Sequence, residues 1–182
     1  MTRSVAVVFA CFLAATGTGV RVAQAGGPAP DPAAAQYEVS FLTVMSDHHQ
    51  MEVDMARTCV DKALHLELRT LCREIVGVES DEIQTMLTWL RDWYGITHEP
   101  QTDPNEREKA DRMAALPSED FEIEFMRSMR DHHRRAMVET DRCVDRAYHP
   151  ELVDLCHGIS ERQADDVDLM EEWSCDWYRK CS

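Results

Sequence analysis

Basic residues are scarce in this chain, whose 182 residues include 19 Lys and Arg against 34 Asp and Glu, for a net charge of −15. That imbalance disfavours nucleic acids and anionic membrane surfaces as partners and favours cations. The alternating apolar and polar pattern of β-strands is absent, so we predict an all-α fold. Glu-x-x-His, which di-iron carboxylate sites require, is absent too, and hydrolase triads have no support. The sequence therefore predicts a helical, cation-binding protein that is not an enzyme.

The N-terminal segment has the features of an export signal. An apolar run at 5–15 follows Arg3 and precedes the sequence Ala-Gln-Ala at 23–25. This order is typical of a secretory signal peptide cleaved before Gly26. A membrane anchor is the alternative, but the run is too short to cross a bilayer. We therefore predict that residues 1–25 are removed and that the mature protein, with a net charge of about −17 and no membrane span, is periplasmic or secreted.

The chain repeats itself at a constant distance. The pattern Phe-x-x-x-Met-x-Asp-His-His occurs at 41–49 and again at 125–133, an offset of 84 residues. The same offset relates further pairs along the chain: Cys59 and Cys143, His65 and His149, Cys72 and Cys156, Met86 and Met170, Trp89 and Trp173, Trp93 and Trp177, Tyr94 and Tyr178. A constant offset without slippage predicts two copies of one structural unit.

Each copy contains two stretches with apolar residues at helical spacing. These lie at about 36–64, 67–94, 119–147 and 150–178, with Gly95 as a stop signal and Ser118 as a helix cap. The predicted fold is an all-α four-helix bundle, one domain built from two repeated antiparallel hairpins. Its predicted parts are a flexible lead at 26–35, a first hairpin at 36–95, a linker at 96–117 with room for one short helix, and a second hairpin at 118–182.

Six cysteines remain after removal of the signal peptide, and export favours disulfides between them. Cys59 and Cys72 flank a predicted turn near His65, so they lie at equal height on antiparallel helices, as a disulfide requires. Cys143 and Cys156 repeat this arrangement. A thiolate metal site is the alternative for these four residues. Cys175 and Cys181 are predicted to pair with each other, with an intersubunit bridge through Cys181 as the alternative; the oligomeric state stays open.

The predicted disulfides also fix which residues face each other across each hairpin. In an antiparallel pair, residues at one height have a constant sum of residue numbers. This rule gives the following pairs: Met45 with Met86, His49 with Glu82, Glu52 with Glu79, Met129 with Met170, and His133 with Asp166. Two histidines, two methionines and a carboxylate thus gather at one level in each copy, which predicts a binding site there.

Thioether and imidazole ligands suit Cu(I), and imidazoles also accept Cu(II), whereas zinc is less favoured and calcium requires oxygen ligands. The candidate metal ligands of the first copy are Met45, His48, His49, Met51, Met55, Glu82 and Met86. Those of the second copy are Met129, His132, His133, Met137, Asp166 and Met170. Alternatively, the methionines fill the core and Glu79 and Glu82 are solvated edge residues. Arg134 and Arg135 would repel a cation from the second site.

The same residues resemble the DUF305 family of exported proteins. The first copy reads Met45, His48-His49, Asp54-Met55-Ala56, His65-Leu66-Glu67-Leu68, Glu82-Ile83, Met86 and Trp89-Leu90. The second copy reads Met129, His132-His133, His149-Pro150-Glu151-Leu152, Met170 and Trp173, and departs from the family pattern at 138–140. The resemblance implies a ferritin-like bundle, copper binding, and a role in copper tolerance or trafficking with another copper-handling protein as a partner.

Overall fold

The structure, a computed structural model, describes residues 26–181 and contains five α-helices there. They are α1 (Pro32–Lys62), α2 (Leu66–Tyr94), α3 (Pro104–Ala114), α4 (Ser118–Arg146) and α5 (Pro150–Tyr178). No strand occurs within this part of the chain, which confirms the all-α prediction. The predicted signal peptide lies outside the described residues. A search of the described helices finds none with the length and apolar character needed to cross a membrane.

Helix α1 begins four residues earlier than predicted, because Asp31 and Pro32 form a strong start signal. The Asp31 carboxylate accepts hydrogen bonds from two backbone N–H groups of the first turn, and Pro32 occupies a first-turn position where no donor is lost. Upstream, the carbonyl oxygen of Gly27 lies 3.0 Å from Nε2 of His149, and Ala29 is buried. The segment 26–35 is therefore not the flexible lead that its composition suggested.

The linker contains the short helix α3, as its sequence allowed. Lys62 ties this segment to the end of α1 by donating hydrogen bonds to the carbonyl oxygens of Ala114 and Leu116. The prediction for Ser118 is wrong: Pro117 holds the cap position, and Ser118 is the first helical residue. Gly95 ends α2 in the left-handed conformation, with φ of 65°.

Three disulfides confirm the predicted cysteine pairing. Cys59 bonds to Cys72 and Cys143 to Cys156, with Cα atoms 6.1 and 6.3 Å apart, so each bridge joins the two helices of one hairpin beside its turn. Cys175 bonds to Cys181 within the same chain. The predicted register follows from the first two bridges: His49 Nε2 lies 3.1 Å from Glu82 Oε2, and His133 Nε2 lies 3.5 Å from Asp166 Oδ2.

The two hairpins pack against each other mainly through α1 and α4, and their turns lie at opposite ends. Buried Glu122, at the start of α4, accepts hydrogen bonds from the backbone N–H groups of Leu64 and His65 in the turn of the first hairpin. Buried Glu38, 84 residues earlier, makes the equivalent bonds to the turn of the second hairpin. Each helix start therefore clamps the turn of the other hairpin, so α1 and α4 run antiparallel.

Aromatic rings close both ends of the molecule. The imidazole of His65 stacks on Trp177 and that of His149 stacks on Trp93, each with ring centroids 3.8 Å apart. Tyr178 donates a hydrogen bond to the carboxylate of Glu122. The two turn histidines hold the cap positions of α2 and α5, and each ring contacts the opposite hairpin.

Buried apolar side chains form two separate cores. The first core surrounds the Cys59–Cys72 disulfide and includes Met129 and Met170. The second core surrounds the Cys143–Cys156 disulfide and includes Met45 and Met86. Because the turns lie at opposite ends, the histidine motifs in the middle of α1 and α4 meet between these two cores.

Candidate metal centre

A layer of buried polar side chains occupies the middle of the molecule, between the two apolar cores. We call it the central polar layer; its members are His49, Glu52, Glu79, Glu82, His132, His133 and Gln163. Helices α1, α2, α4 and α5 each contribute at least one of them. So many ionisable groups in a protein interior cost stability unless they are paired with each other or with an ion.

Glu52 connects the two hairpins within this layer. Its Oε1 atom lies 2.9 Å from Nδ1 of His133 on α4 and 3.4 Å from Nε2 of His48 one turn earlier on α1. Its Oε2 atom lies 3.5 Å from Nδ1 of His49 and 3.4 Å from the side-chain amide nitrogen of Gln163. One fully buried carboxylate therefore contacts three of the four motif histidines.

Burial and neighbouring charges divide the histidines into two kinds. Burial lowers the pKa of His49 and of His132 to about 4, so both imidazoles are neutral at neutral pH and keep a lone pair for a metal. Burial alone would lower the pKa of His133 as well, but the carboxylates of Glu52 and Asp166 outweigh it and raise that pKa to about 9. His133 is therefore a cation that balances Glu52 in the metal-free protein.

Two carboxylates of the layer respond oppositely to the same environment. Burial raises the pKa of Glu52, but the adjacent His48 and His133 outweigh this effect and hold that pKa well below its usual range. Burial and the neighbouring Glu52 carboxylate together raise the pKa of Glu79 well above its usual range. The same environment therefore favours the ionised form of Glu52 and the protonated form of Glu79.

His48 and His132 are predicted ligands of different copies, yet they face each other across the two hairpins. Their ring centroids lie 5.2 Å apart. One ligand atom of His48, one of His132 and one of Glu52 lie within 4.8 Å of one another. The buried atoms His48 Nε2 and His132 Nδ1 have no hydrogen-bond partner. This set of atoms could bind a metal ion without moving the backbone.

Surface cavities lead to this histidine pair from the α1 and α4 side. A cavity of about 450 Å³ is lined by Met51 together with His48 and His132. A neighbouring cavity of about 380 Å³ is lined by Met51, Met55, Met113 and His132. A third, of about 580 Å³, is lined by Met45, His48 and residues of α4. Thioether groups therefore surround the openings through which an ion would reach the imidazoles.

The other predicted ligands lie at several depths. His49 is hydrogen-bonded to Glu82, which also pairs with Arg162, and both members of this histidine–glutamate pair are buried. The four methionines that the sequence placed level with the histidines are buried in the apolar cores. Met45 and Met86 lie on one side of the polar layer, and Met129 and Met170 lie on the other. Met137 is half-buried on α4, one turn beyond His133.

Sequence reasoning missed the central role of Glu52 and the contribution of Met113. Glu52 was placed opposite Glu79 within its own hairpin, but its contact with His133 depends on the packing of two hairpins, which spacing within one repeat does not reveal. Met113 lies in the linker, where neither the repeat nor the disulfides give a register. The position of Glu52 on the inward-facing stripe of α1 was the sequence feature that could have indicated its role.

The chain is similar to several proteins of known structure. The family model described as "Domain of unknown function (DUF305)" matches residues 38–174. CopM in its Cu(I)-bound form is 30% identical, with a TM-score of 0.70 over 78% of this chain and 97% of that protein, and CopM in an Ag-bound form is 30% identical, with a TM-score of 0.69 over the same shares. A DUF305 fragment from Deinococcus radiodurans is 26% identical, with a TM-score of 0.68 over 78% of this chain and 97% of the fragment. No curated protein matches the chain.

Proposed function

Because the chain belongs to the DUF305 family, we propose that it is an exported copper-binding protein that sequesters the ion or passes it to another copper-handling protein. The observation that carries this proposal is the meeting of His48 and His132 with Met51 around one cavity. CopM, a relative of known structure, has been solved with Cu(I), Cu(II) and Ag bound. Soft ions of this kind favour thioether and imidazole ligands.

We assign the copper position to the interface between the hairpins rather than to one position in each hairpin. The reason is that His49 and His133 are fully buried and hydrogen-bonded to Glu82 and Glu52, whereas His48 and His132 face each other and line a surface cavity. Met51 lines the same cavity as both imidazoles, and its counterpart 84 residues later is Arg135, which would repel a cation. One asymmetric site is therefore favoured over two equivalent ones.

Cu(I) is the oxidation state that this ligand set favours, since thioethers bind Cu(I) well and Cu(II) poorly. Met45 and Met55 line the neighbouring cavities and would serve as first contacts for an incoming ion. In this proposal the scaffold is a ferritin-like four-helix bundle to which α3 adds a fifth helix. The protein acts by binding rather than by catalysis, and it works in the periplasm or outside the cell.

The proposal is tested by a competitive Cu(I) titration of the mature, disulfide-bonded protein against a chromophoric chelator, with free thiols counted in the same sample. The double variant His48→Ala/His132→Ala is expected to lose tight Cu(I) binding. The matched control His157→Ala removes an exposed histidine of α5 and is expected to bind as the wild type does.

A second double variant separates the shared position from a position inside one hairpin. Met45→Leu/His49→Ala removes two ligands predicted from the first copy alone and is expected to weaken binding less than the His48/His132 variant. If neither double variant changes the affinity, the copper assignment is wrong. The alternative function, a disulfide-stapled structural or partner-binding bundle, then explains the fold.

A further inference from the structure

A second group of ligand atoms lies deeper in the central polar layer than the His48–His132 pair. Glu52, Glu79 and His133 each offer one atom to this group, and the three atoms fall within 4.8 Å of one another. All three side chains are buried, with exposed fractions of 0%, 4% and 0%. The group contains two oxygens and one imidazole nitrogen and no sulfur.

Hydrogen bonds within the protein leave this group incomplete. The Oε2 atom of Glu79 is buried without a hydrogen-bond partner, and so is the Oε1 atom of Gln163. The other oxygen of Glu79 has only a long contact of 3.5 Å with the amide nitrogen of Gln163. An unpartnered buried carboxylate oxygen is costly, and such atoms are rare in native proteins unless a water or an ion satisfies them.

The second hairpin shows that the scaffold does not need carboxylates at these places. The residues 84 positions after Glu52 and Glu79 are Ala136 and Gln163. Both hairpins form the same pair of disulfide-linked helices, although only the first carries these two glutamates. Packing and folding of the hairpin therefore do not account for two facing carboxylates in the interior.

The group has its own opening to the surface. A cavity of about 250 Å³ between α2 and α5 is lined by Glu79, by Gln163 and by Arg162, which pairs with Glu82. Its acidic lining also includes Glu74, Glu82, Asp165 and Asp166. The cavities that lead to His48 and His132 are lined instead by α1, α4 and the segment around α3. A path lined by carboxylates attracts divalent cations.

We propose that Glu52, Glu79 and His133 bind a divalent cation of the Zn²⁺ class. Zn²⁺ accepts carboxylate oxygen and imidazole nitrogen together, whereas Cu(I) favours sulfur, and Ca²⁺ takes six to eight oxygens. His133 would coordinate through Nδ1, which faces Glu52, while its Nε2 lies 3.5 Å from Oδ2 of Asp166. Such a carboxylate behind a ligating histidine commonly orients the ring in zinc sites.

The amide of Gln163 completes the surroundings of the proposed ion. Its nitrogen lies 3.4 Å from Glu52 Oε2, so a rotation of the amide would turn its unpartnered oxygen toward the same point. The site shares only Glu52 with the proposed copper position and does not depend on copper binding at His48 and His132. The two positions can therefore be tested separately.

The test is a Zn²⁺ titration of the metal-free mature protein against a chromophoric zinc indicator. Glu79→Gln keeps the shape of the side chain and removes a proposed ligand. Loss of a residue that only orients a metal ligand lowers metal affinity by about 10- to 100-fold, so we expect this variant to lower the Zn²⁺ affinity at least tenfold. Glu67→Gln is the matched control, because Glu67 is an exposed glutamate in the first turn of the same helix and lies outside both the group and its cavity. Its affinity is expected to stay near that of the wild type.

Thermal melting distinguishes loss of the zinc site from loss of folding. Without metal, Glu79→Gln is expected to melt at or above the wild-type temperature, because the amide keeps the shape of the side chain and carries no charge next to Glu52. Zn²⁺ is then expected to raise the melting temperature of the wild type and not that of the variant. X-ray absorption of the zinc-loaded wild type is expected to show oxygen and nitrogen neighbours only.

The copper and zinc positions give opposite patterns across the variants. His48→Ala/His132→Ala should lose Cu(I) and keep Zn²⁺, and Glu79→Gln should keep Cu(I) and lose Zn²⁺. Wild-type Zn²⁺ affinity in Glu79→Gln would overturn the inner site and leave the copper proposal intact. Sulfur among the zinc neighbours would also overturn it.

Discussion

The clamp between Glu122 and the opposite turn can be removed by the substitution Glu122→Ala. The fully buried carboxylate accepts hydrogen bonds from the backbone N–H of Leu64 at 2.6 Å and of His65 at 2.8 Å, lies 2.8 Å from His65 Nδ1, and accepts one from the hydroxyl of Tyr178. Alanine leaves all of these donors without their acceptor and opens a cavity. We expect the two hairpins to separate more easily in this variant.

The magnitude follows from the number and burial of these contacts. A hydrogen bond to a charged group contributes about 1.5–3 kcal/mol, and removal of one partner from a buried charged pair costs about 3–5 kcal/mol. Since the His65 side chain is one-third exposed, we expect a loss near the lower limit, about 3 kcal/mol. For a domain of this size that loss lowers the melting temperature by roughly 6–12 °C.

Thermal melting followed by circular dichroism, at pH 7 and with intact disulfides, measures this loss. Glu124→Ala is the control, because Glu124 lies two residues along the same helix and pairs with Arg127 at the surface; it should change the stability by no more than about 0.5 kcal/mol. Equal melting temperatures for the two variants would refute the clamp.

The pH dependence gives the clamp a second signature. Burial alone would raise the pKa of Glu122, but the hydrogen bonds from Tyr178 and His65 outweigh it and lower that pKa below its ordinary value of 4.5. A lowered folded-state pKa means that the stabilisation is complete above about pH 4.5 and is lost as the pH falls through the folded-state value. The melting curves of wild type and Glu122→Ala should therefore approach each other in acid.

Two further predictions concern the same architecture. Glu38→Ala should cost about as much as Glu122→Ala, because Glu38 accepts the equivalent bonds from Tyr148, His149 and Tyr94; thermal melting at pH 7 measures this, and a loss below about 0.5 kcal/mol would contradict it. Replacing both cysteines of the Cys59–Cys72 disulfide should lower the free energy of unfolding by about 3 kcal/mol, and replacing those of the shorter Cys175–Cys181 loop by only about 2 kcal/mol. Denaturant unfolding measures both losses, and the reverse order would contradict the loop-entropy argument.

Much of each hairpin could be predicted because local rules determine it. Apolar spacing located the helices to within a few residues, and the cysteines beside each turn fixed the register well enough to pair His49 with Glu82 and His133 with Asp166. The early start of α1 was missed because the Gly, Pro and Ala content before it resembles a loop. Asp31 and Pro32 are a helix start signal, but no apolar residues at helical spacing follow them closely enough to support a helix start there.

The packing of one hairpin on the other could not be predicted from the same rules. Two copies with the same apolar stripe can pack with their turns at one end or at opposite ends, and no disulfide joins the hairpins to decide between them. The structure has the turns at opposite ends, yet the histidine motifs still meet, because each lies near the middle of its helix. Glu38 and Glu122 determine this arrangement, and their only sequence signal is the shared offset.

Comparison of the two copies separates the residues that build the scaffold from those that form the site. Glu38 and Glu122 are present in both copies and make equivalent bonds, as an element of the scaffold should. The copies differ where the proposed ions bind, since Met51, Glu52 and Glu79 correspond to an arginine, an alanine and a glutamine. Unpaired buried polar atoms occur on the four histidines that the copies share and also on Glu79 and Gln163, which occupy corresponding positions and differ. In our proposal, duplication provides a symmetric frame, and the interior that differs between the copies provides a thioether–imidazole position and a carboxylate–imidazole position that share Glu52.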